Sequence, residues 1–169
     1  MRMCSDVVKK APSILEEIKQ SKPFRSKGHE AHLALLRTAD DSRRSITQVL
    51  DPVGVTLQQY NVLRVLRGAG PGGLPTLAVA ERMIERTPGI TRLIDRMERQ
   101  GWVVRQRGTE DRRQVWCTIT DDGLTLLASL DGPVEEVNDV LNRALAEDEL
   151  GALIGYLDRL RAHLNQSRD

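Results

Sequence analysis

Apolar positions recur three and four residues apart over most of this chain and alternate in only one stretch. From Gly28 to about Leu50 the spacing predicts a long helix, with Leu36, Ala39, Ile46 and Leu50 on a stripe that Val53 continues. Asp51-Pro52-Val53-Gly54 stops it. Thr56-Leu57-Gln58-Gln59 reads as a capping box: the Thr56 hydroxyl caps a new helix and Gln59 reaches back. Leu57, Tyr60, Leu63 and Leu66 form its apolar stripe. The run Gly68 to Gly73 is a loop by composition. Pro75 suits the first turn of a helix reaching about Ile84, with Leu77, Ala80, Met83 and Ile84 facing inward. Thr87 as N-cap and Pro88 at the first helical position then open a helix that runs to Gln100 and stops at Gly101. Its buried stripe is Ile90, Leu93, Ile94 and Met97.

The alternating stretch follows. Trp102 to Arg107 reads as a strand, Gly108 to Arg112 as a charged tip, and Val115 to Thr120 as the return strand, with Val115, Cys117 and Ile119 on one face. Thr120 or Asp121 caps the next helix, marked by Leu124, Leu127, Ala128 and Leu130, with a break or kink at Gly132-Pro133. A last helix spans about Glu147 to Leu164. Residues 1–24 form an arm or a short helix broken by Pro12 and Pro23. The chain is thus mainly α with a small β-hairpin wing. Two short helices joined by a tight turn and followed by a hairpin make a winged helix-turn-helix.

A length of 169 residues suffices for one domain with a real core, 1–169. Aromatics are 3% of the chain, so the core must be built from Leu, Val, Ile and Ala, which suits packed helices. No apolar run is long enough to cross a bilayer, and Met1 to Gln20 lacks a signal-peptide core, so a cytoplasmic protein is expected. Two cysteines, Cys4 and Cys117, and three histidines give no metal-ligand spacing, and no metal or cofactor is implied. No phosphate loop, nucleophile elbow or metal cluster appears, so an enzyme is not expected.

Net charge is only +1, but its distribution is uneven. Residues 1–81 and 82–113 each carry +4, and residues 114–169 carry −7. Every base in 82–113 is Arg, the side chain suited to phosphate forks and guanine edges. Charge alone leaves two readings open, a nucleic-acid surface or a solvated helix face.

The run Val79-Ala-Glu-Arg-Met83, then Ile90-Thr-Arg-Leu-Ile-Asp-Arg-Met97 and Gly101-Trp-Val-Val-Arg105, resembles the multiple-antibiotic-resistance regulator (MarR) family. So do Asp111-Arg-Arg113 and Ile119-Thr-Asp-Asp-Gly123, where Ile119 replaces the family's usual Leu. The resemblance covers about Thr56 to Leu127. It implies a sequence-specific regulator, a repressor in the commoner case, that binds double-stranded DNA at a pseudo-palindromic operator as a homodimer. It also implies a division into an N-terminal arm and dimerisation helix (1–55), a winged helix-turn-helix (56–120) and C-terminal dimerisation helices (121–169), the flanking helices forming a dimerisation module.

In that frame the helix from Thr87 to Gln100 is the recognition helix. Its N-terminal exposed residues reach base edges. Arg92 is assigned to direct base contact, Gly89 to close approach, Thr91 or Arg96 to base or phosphate, and Thr87 with the first-turn N–H groups to a phosphate oxygen. The resemblance also implies that Arg112 or Arg113 at the wing tip enters the minor groove and that Asp111 braces the wing. Trp116 falls opposite Val115 and Cys117, where it either packs or touches DNA. Many family members bind a small, often anionic aromatic effector. His32, Arg37, Asp40 and Tyr60 are the candidate lining here. Cys117 is expected to be inert, and no redox role is assigned to Cys4. The alternative reading is a winged-helix protein–protein interaction module without sequence-specific DNA binding.

Overall fold

The computed structural model describes residues 12–85, 88–108 and 114–166. Seven helices and three strands follow in the order α1 (Ile14–Glu17), α2 (Lys27–Leu50), α3 (Leu57–Ala69), β1 (Leu74–Pro75), α4 (Thr76–Arg82), α5 (Ile90–Arg99), β2 (Val103–Arg107), β3 (Val115–Ile119), α6 (Asp121–Ala144) and α7 (Glu147–Gln166). A 3-10 turn, Asp51–Val53, separates α2 from α3. The chain falls into two compact units divided between Arg44 and Ser45.

In the first unit, Ser13 and Glu16 close a reciprocal capping box around the short α1. Glu17, from α1, pairs with Arg37 of α2 at 3.8 Å, and Phe24 meets His29 edge-on at 5.6 Å. The second unit holds the core. Leu50, Val62, Leu63, Leu66, Val79, Ile94, Met97, Cys117 and Leu127 are wholly buried. Apart from Met97 and Cys117, these are the aliphatic residues that an aromatic-poor chain must use.

The capping box at Thr56 forms as expected, with Gln59 accepting from the Thr56 backbone N–H at 2.9 Å and donating to Gln100 at 2.9 Å. Thr120 caps α6, accepting from the Gly123 N–H at 3.0 Å while its hydroxyl donates to the Gly101 carbonyl at 2.6 Å. Gly123 has no room for a side chain, since a Cβ there would run into the Trp102 carbonyl oxygen. That close approach fixes the start of α6 against the residue that follows α5.

Several expectations are corrected. The helix expected from Pro75 to Ile84 ends at Arg82, and Met83 is extended. Val79 is buried and Ala80 and Met83 pack inward, but Leu77 is 75% and Ile84 86% exposed. Leu77 lies two residues before Val79, about 200° around the helix, so it points away from the core. Ile84 lies beyond the helix end, where the 3.6-residue period no longer governs direction. The helix expected to open at Pro88 starts at Ile90, and its N-cap is Gly89, with φ 86° in the left-handed region. Pro88 and Gly89 form a turn instead of a first helical turn, because glycine takes that backbone at no steric cost. Thr87, expected as the cap, lies outside the described residues. Finally, of the break or kink expected at Gly132-Pro133 the break is absent, since α6 runs on through Pro133. The lost backbone bond is offset by burial of Leu127, Leu130 and Val134 on either side.

Strand β1 was not expected. It is two residues long, contains a proline, and lies at the edge of a three-stranded antiparallel sheet ordered β1-β3-β2. Leu74 is opposite Cys117, and Val103 through Arg107 run opposite Ile119 through Val115.

Candidate nucleic-acid interface

The helix α5 has one buried side and one charged side. Ile90, Leu93, Ile94 and Met97 are all buried, as the spacing predicts. Thr91, Arg92, Arg96 and Arg99 are exposed. Arg92, Arg96 and Arg99 follow at intervals of four and three, so they lie along one face. None of the three has an ion-pair partner among the described residues. Three guanidinium groups in a row, uncommitted and in water, repel one another unless an anion joins them.

Arg105 behaves differently. It stands on β2 and its side chain is 28% exposed. Its Nε donates to Glu98 at 2.8 Å, a terminal nitrogen lies 2.6 Å from the same carboxylate, and another pairs with Asp95. The Arg105 backbone N–H donates to Glu98 at 3.1 Å. Hydrogen bonding from Arg105 lowers the carboxyl pKa of Glu98, and hydrogen bonding to Glu98 raises that of Arg105. The arginine-rich segment thus divides into residues spent inside the protein and residues held out to solvent.

Strands β2 and β3 form the wing, and the Gly108 N–H donates to the Gln114 carbonyl at 2.9 Å across its outer end. Thr76 ties the wing to α4, its hydroxyl donating to the Val115 carbonyl at 3.0 Å. A cleft of about 460 Å³ opens between α4, α5 and the wing, lined by Leu77, Glu81, Thr91, Arg105 and Gln114 among others. Trp116 is 38% exposed and pairs with Gln106 and Pro75, on the sheet face opposite buried Cys117, as alternation requires. Burial raises the Cys117 thiol pKa. Asp111, Arg112 and Arg113 lie outside the described residues, as does Cys4.

The candidate effector residues are already engaged or exposed. In the first unit Arg37 pairs with Asp41 at 3.4 Å, Asp40 pairs with Arg44 at 2.9 Å, and His32 is exposed. In the second unit Tyr60 is buried, with the Arg64 guanidinium 5.9 Å from its ring centre. A polar cleft of about 400 Å³ beside it is lined by Arg64, Arg67, Asp131, Glu135 and Asn138. Arg67 donates twice to Asp131, at 2.7 and 2.9 Å, joining α3 to α6.

Sequence reasoning missed the Arg105 pairs and Arg64. Two acids three residues apart on an arginine-rich helix, Asp95 and Glu98, were the available signal for the first. The helical step from Tyr60 to Arg64 was the signal for the second.

The sequence model of the MarR family matches residues 55–115. A MarR transcription factor from Planctomyces limnophilus is 40% identical in sequence and superposes with a TM-score of 0.62 over 80% of this chain and 98% of its own. The transcriptional repressor CouR, in a structure bound to a 23-mer DNA duplex, is 27% identical over 83% of this chain and 99% of its own, with a TM-score of 0.70. The transcriptional regulator FarR of Neisseria gonorrhoeae is 25% identical over 138 residues, which is 82% of this chain and 93% of its own.

Proposed function

Because the chain belongs to the MarR family of DNA-binding transcription regulators, we propose that it acts as a homodimeric repressor of a pseudo-palindromic operator. One observation carries this reading: α5 buries its apolar residues and holds Arg92, Arg96 and Arg99 out on one face with no ion-pair partner among the described residues. In this reading Arg92 reads a base edge in the major groove. Gly89, whose exposed turn carries no side chain, lets the backbone approach, and Thr91 and Arg96 take base or phosphate. Thr87 takes a phosphate oxygen. Arg112 or Arg113 senses minor-groove width from the wing tip, with Asp111 as a brace. The repressor CouR, related over almost its whole length, supports the choice of repression.

Homodimerisation is supported by apolar side chains left in water. Leu153, Tyr156, Leu160 and Leu164 lie at helical spacing along α7 and are all exposed, a stripe that nothing among the described residues covers. A small-molecule effector, an anionic aromatic in the simplest case, would enter beside Tyr60 and Arg64.

The reading is tested by passing the protein over a random duplex pool with non-specific competitor at near-physiological salt. Enrichment of an inverted repeat with half-sites about one helical turn apart supports a dimeric sequence-specific regulator. Weak, salt-sensitive retention without an enriched sequence sinks it.

A further inference from the structure

Nine arginines stand in residues 82–113, and charge counting would enrol them all in DNA binding. Geometry removes Arg105 from that set. Its guanidinium forks over two carboxylates of the recognition helix, Glu98 and Asp95, while its own backbone N–H bonds Glu98 as well. A single residue of β2 therefore meets two positions of α5, one helical turn apart. The inner end of the wing is held otherwise: the Thr76 hydroxyl on the Val115 carbonyl and the pairing of Leu74 with Cys117 join β3 to the start of α4, and Val103 and Cys117 are buried in the core. The cleft of about 460 Å³ separates α4 and α5 from the outer wing, so packing does not fill the space there.

We propose that Arg105 is a positioning residue for operator binding: its fork on Glu98 and Asp95 fixes the wing to the recognition helix, so that both meet the DNA as one rigid body. The proposal rests on the reading of the wing as a DNA contact. A hinged wing would bind with its orientation unset, and the ordering would be subtracted from the binding free energy. The fork also screens two carboxylates that would otherwise face phosphates beside α5. Lys cannot replace it, because one ammonium on a flexible stem does not present a planar fork to two acids.

The decisive variant is Glu98→Gln, which keeps size and leaves Arg105 charged. Charge alone predicts tighter DNA binding, since a negative group is removed and a cation released. The positioning role predicts the opposite sign. Wild type, Glu98→Gln and Arg105→Lys are titrated on a duplex carrying the selected repeat. Hydroxyl-radical footprints report the sugars along the minor groove, and dimethyl sulfate protection reports guanine N7 in the major groove. Circular dichroism confirms that each variant is folded. We expect both variants to bind about two- to thirtyfold more weakly, the span typical of coupling through an intervening network. They should lose hydroxyl-radical protection at the flanks and keep guanine N7 protection. Equal or tighter binding by Glu98→Gln with an unchanged footprint overturns the proposal. A wild-type protein with major-groove protection and no flanking hydroxyl-radical protection overturns the wing reading itself, and Arg105 then has nothing to position.

Discussion

Arg92 and Arg105 are chemically identical and stand on adjoining elements, yet their surroundings give them opposite work. Arg92 is exposed and without an ion-pair partner among the described residues, while Arg105 is closed over two carboxylates. Replacing Arg92 with Ala should therefore cost operator binding about 1–3 kcal/mol and relax preference at one base position. Competition titrations against single-base operator variants check this, and undiminished discrimination at every position would remove Arg92 from the reading set. Gly123 sets a different limit. Alanine there gains about 1 kcal/mol of helix propensity, but overpacking costs about 1–3 kcal/mol. The obstacle is the Trp102 carbonyl, part of the backbone, which cannot rotate aside. Overpacking should win, and Gly123→Ala should lower the urea midpoint. A raised midpoint would mean that α6 can slide away from Trp102.

Between elements, the fork of Arg67 on Asp131 joins α3 to α6 across a polar cleft. Hydrogen bonds from Arg67 hold the Asp131 carboxyl below its ordinary value of 3.8. A depressed acid contributes stability that is present above its unfolded pKa and is lost as pH falls through its folded pKa. The wild type should therefore exceed Asp131→Asn in stability at neutral pH, with the gap narrowing only below about pH 4. Urea midpoints for both proteins from about pH 6 to about pH 2 measure the gap directly. A gap that stays constant across that window would show that the pair contributes through packing, not charge. Both side chains are more than a third exposed, so the effect is modest.

For the whole molecule, the decisive feature is apolar surface on the helices that flank the winged motif. Ile154 is 59% and Leu160 50% exposed on α7. Changing either to Glu should leave the helical signal of the monomer intact, because neither is in the core. It should turn the proposed dimer monomeric by light scattering and abolish operator binding at concentrations that saturate the wild type. A dimer that survives both substitutions would place the interface elsewhere. The acidic residues of 114–169 suit such a module, since like charge keeps it away from phosphate.

Long periodic stripes and local caps were legible from the sequence alone. The buried face of α5, the capping box at Thr56, the cap at Thr120 and the two strands of the hairpin all follow from spacing, because each is decided within a turn or two of chain. The winged helix-turn-helix follows from their order. Elsewhere, distant atoms settled the outcome. Leu77 and Ile84 carry apolar side chains that sequence places inside, but the core was already filled from Val79 and Met83 and the helix ended first. The strand β1 exists only because β3 offers its edge. Pro133 stays helical because its neighbours are buried on the same side. Above all, the sequence supplied nine arginines of one kind, and only the approach of β2 to α5 set Arg105 apart. An ion pair needs two groups within a few ångströms, and contact between α5 and β2 is made by folding the chain back at Gly101, not by spacing along it.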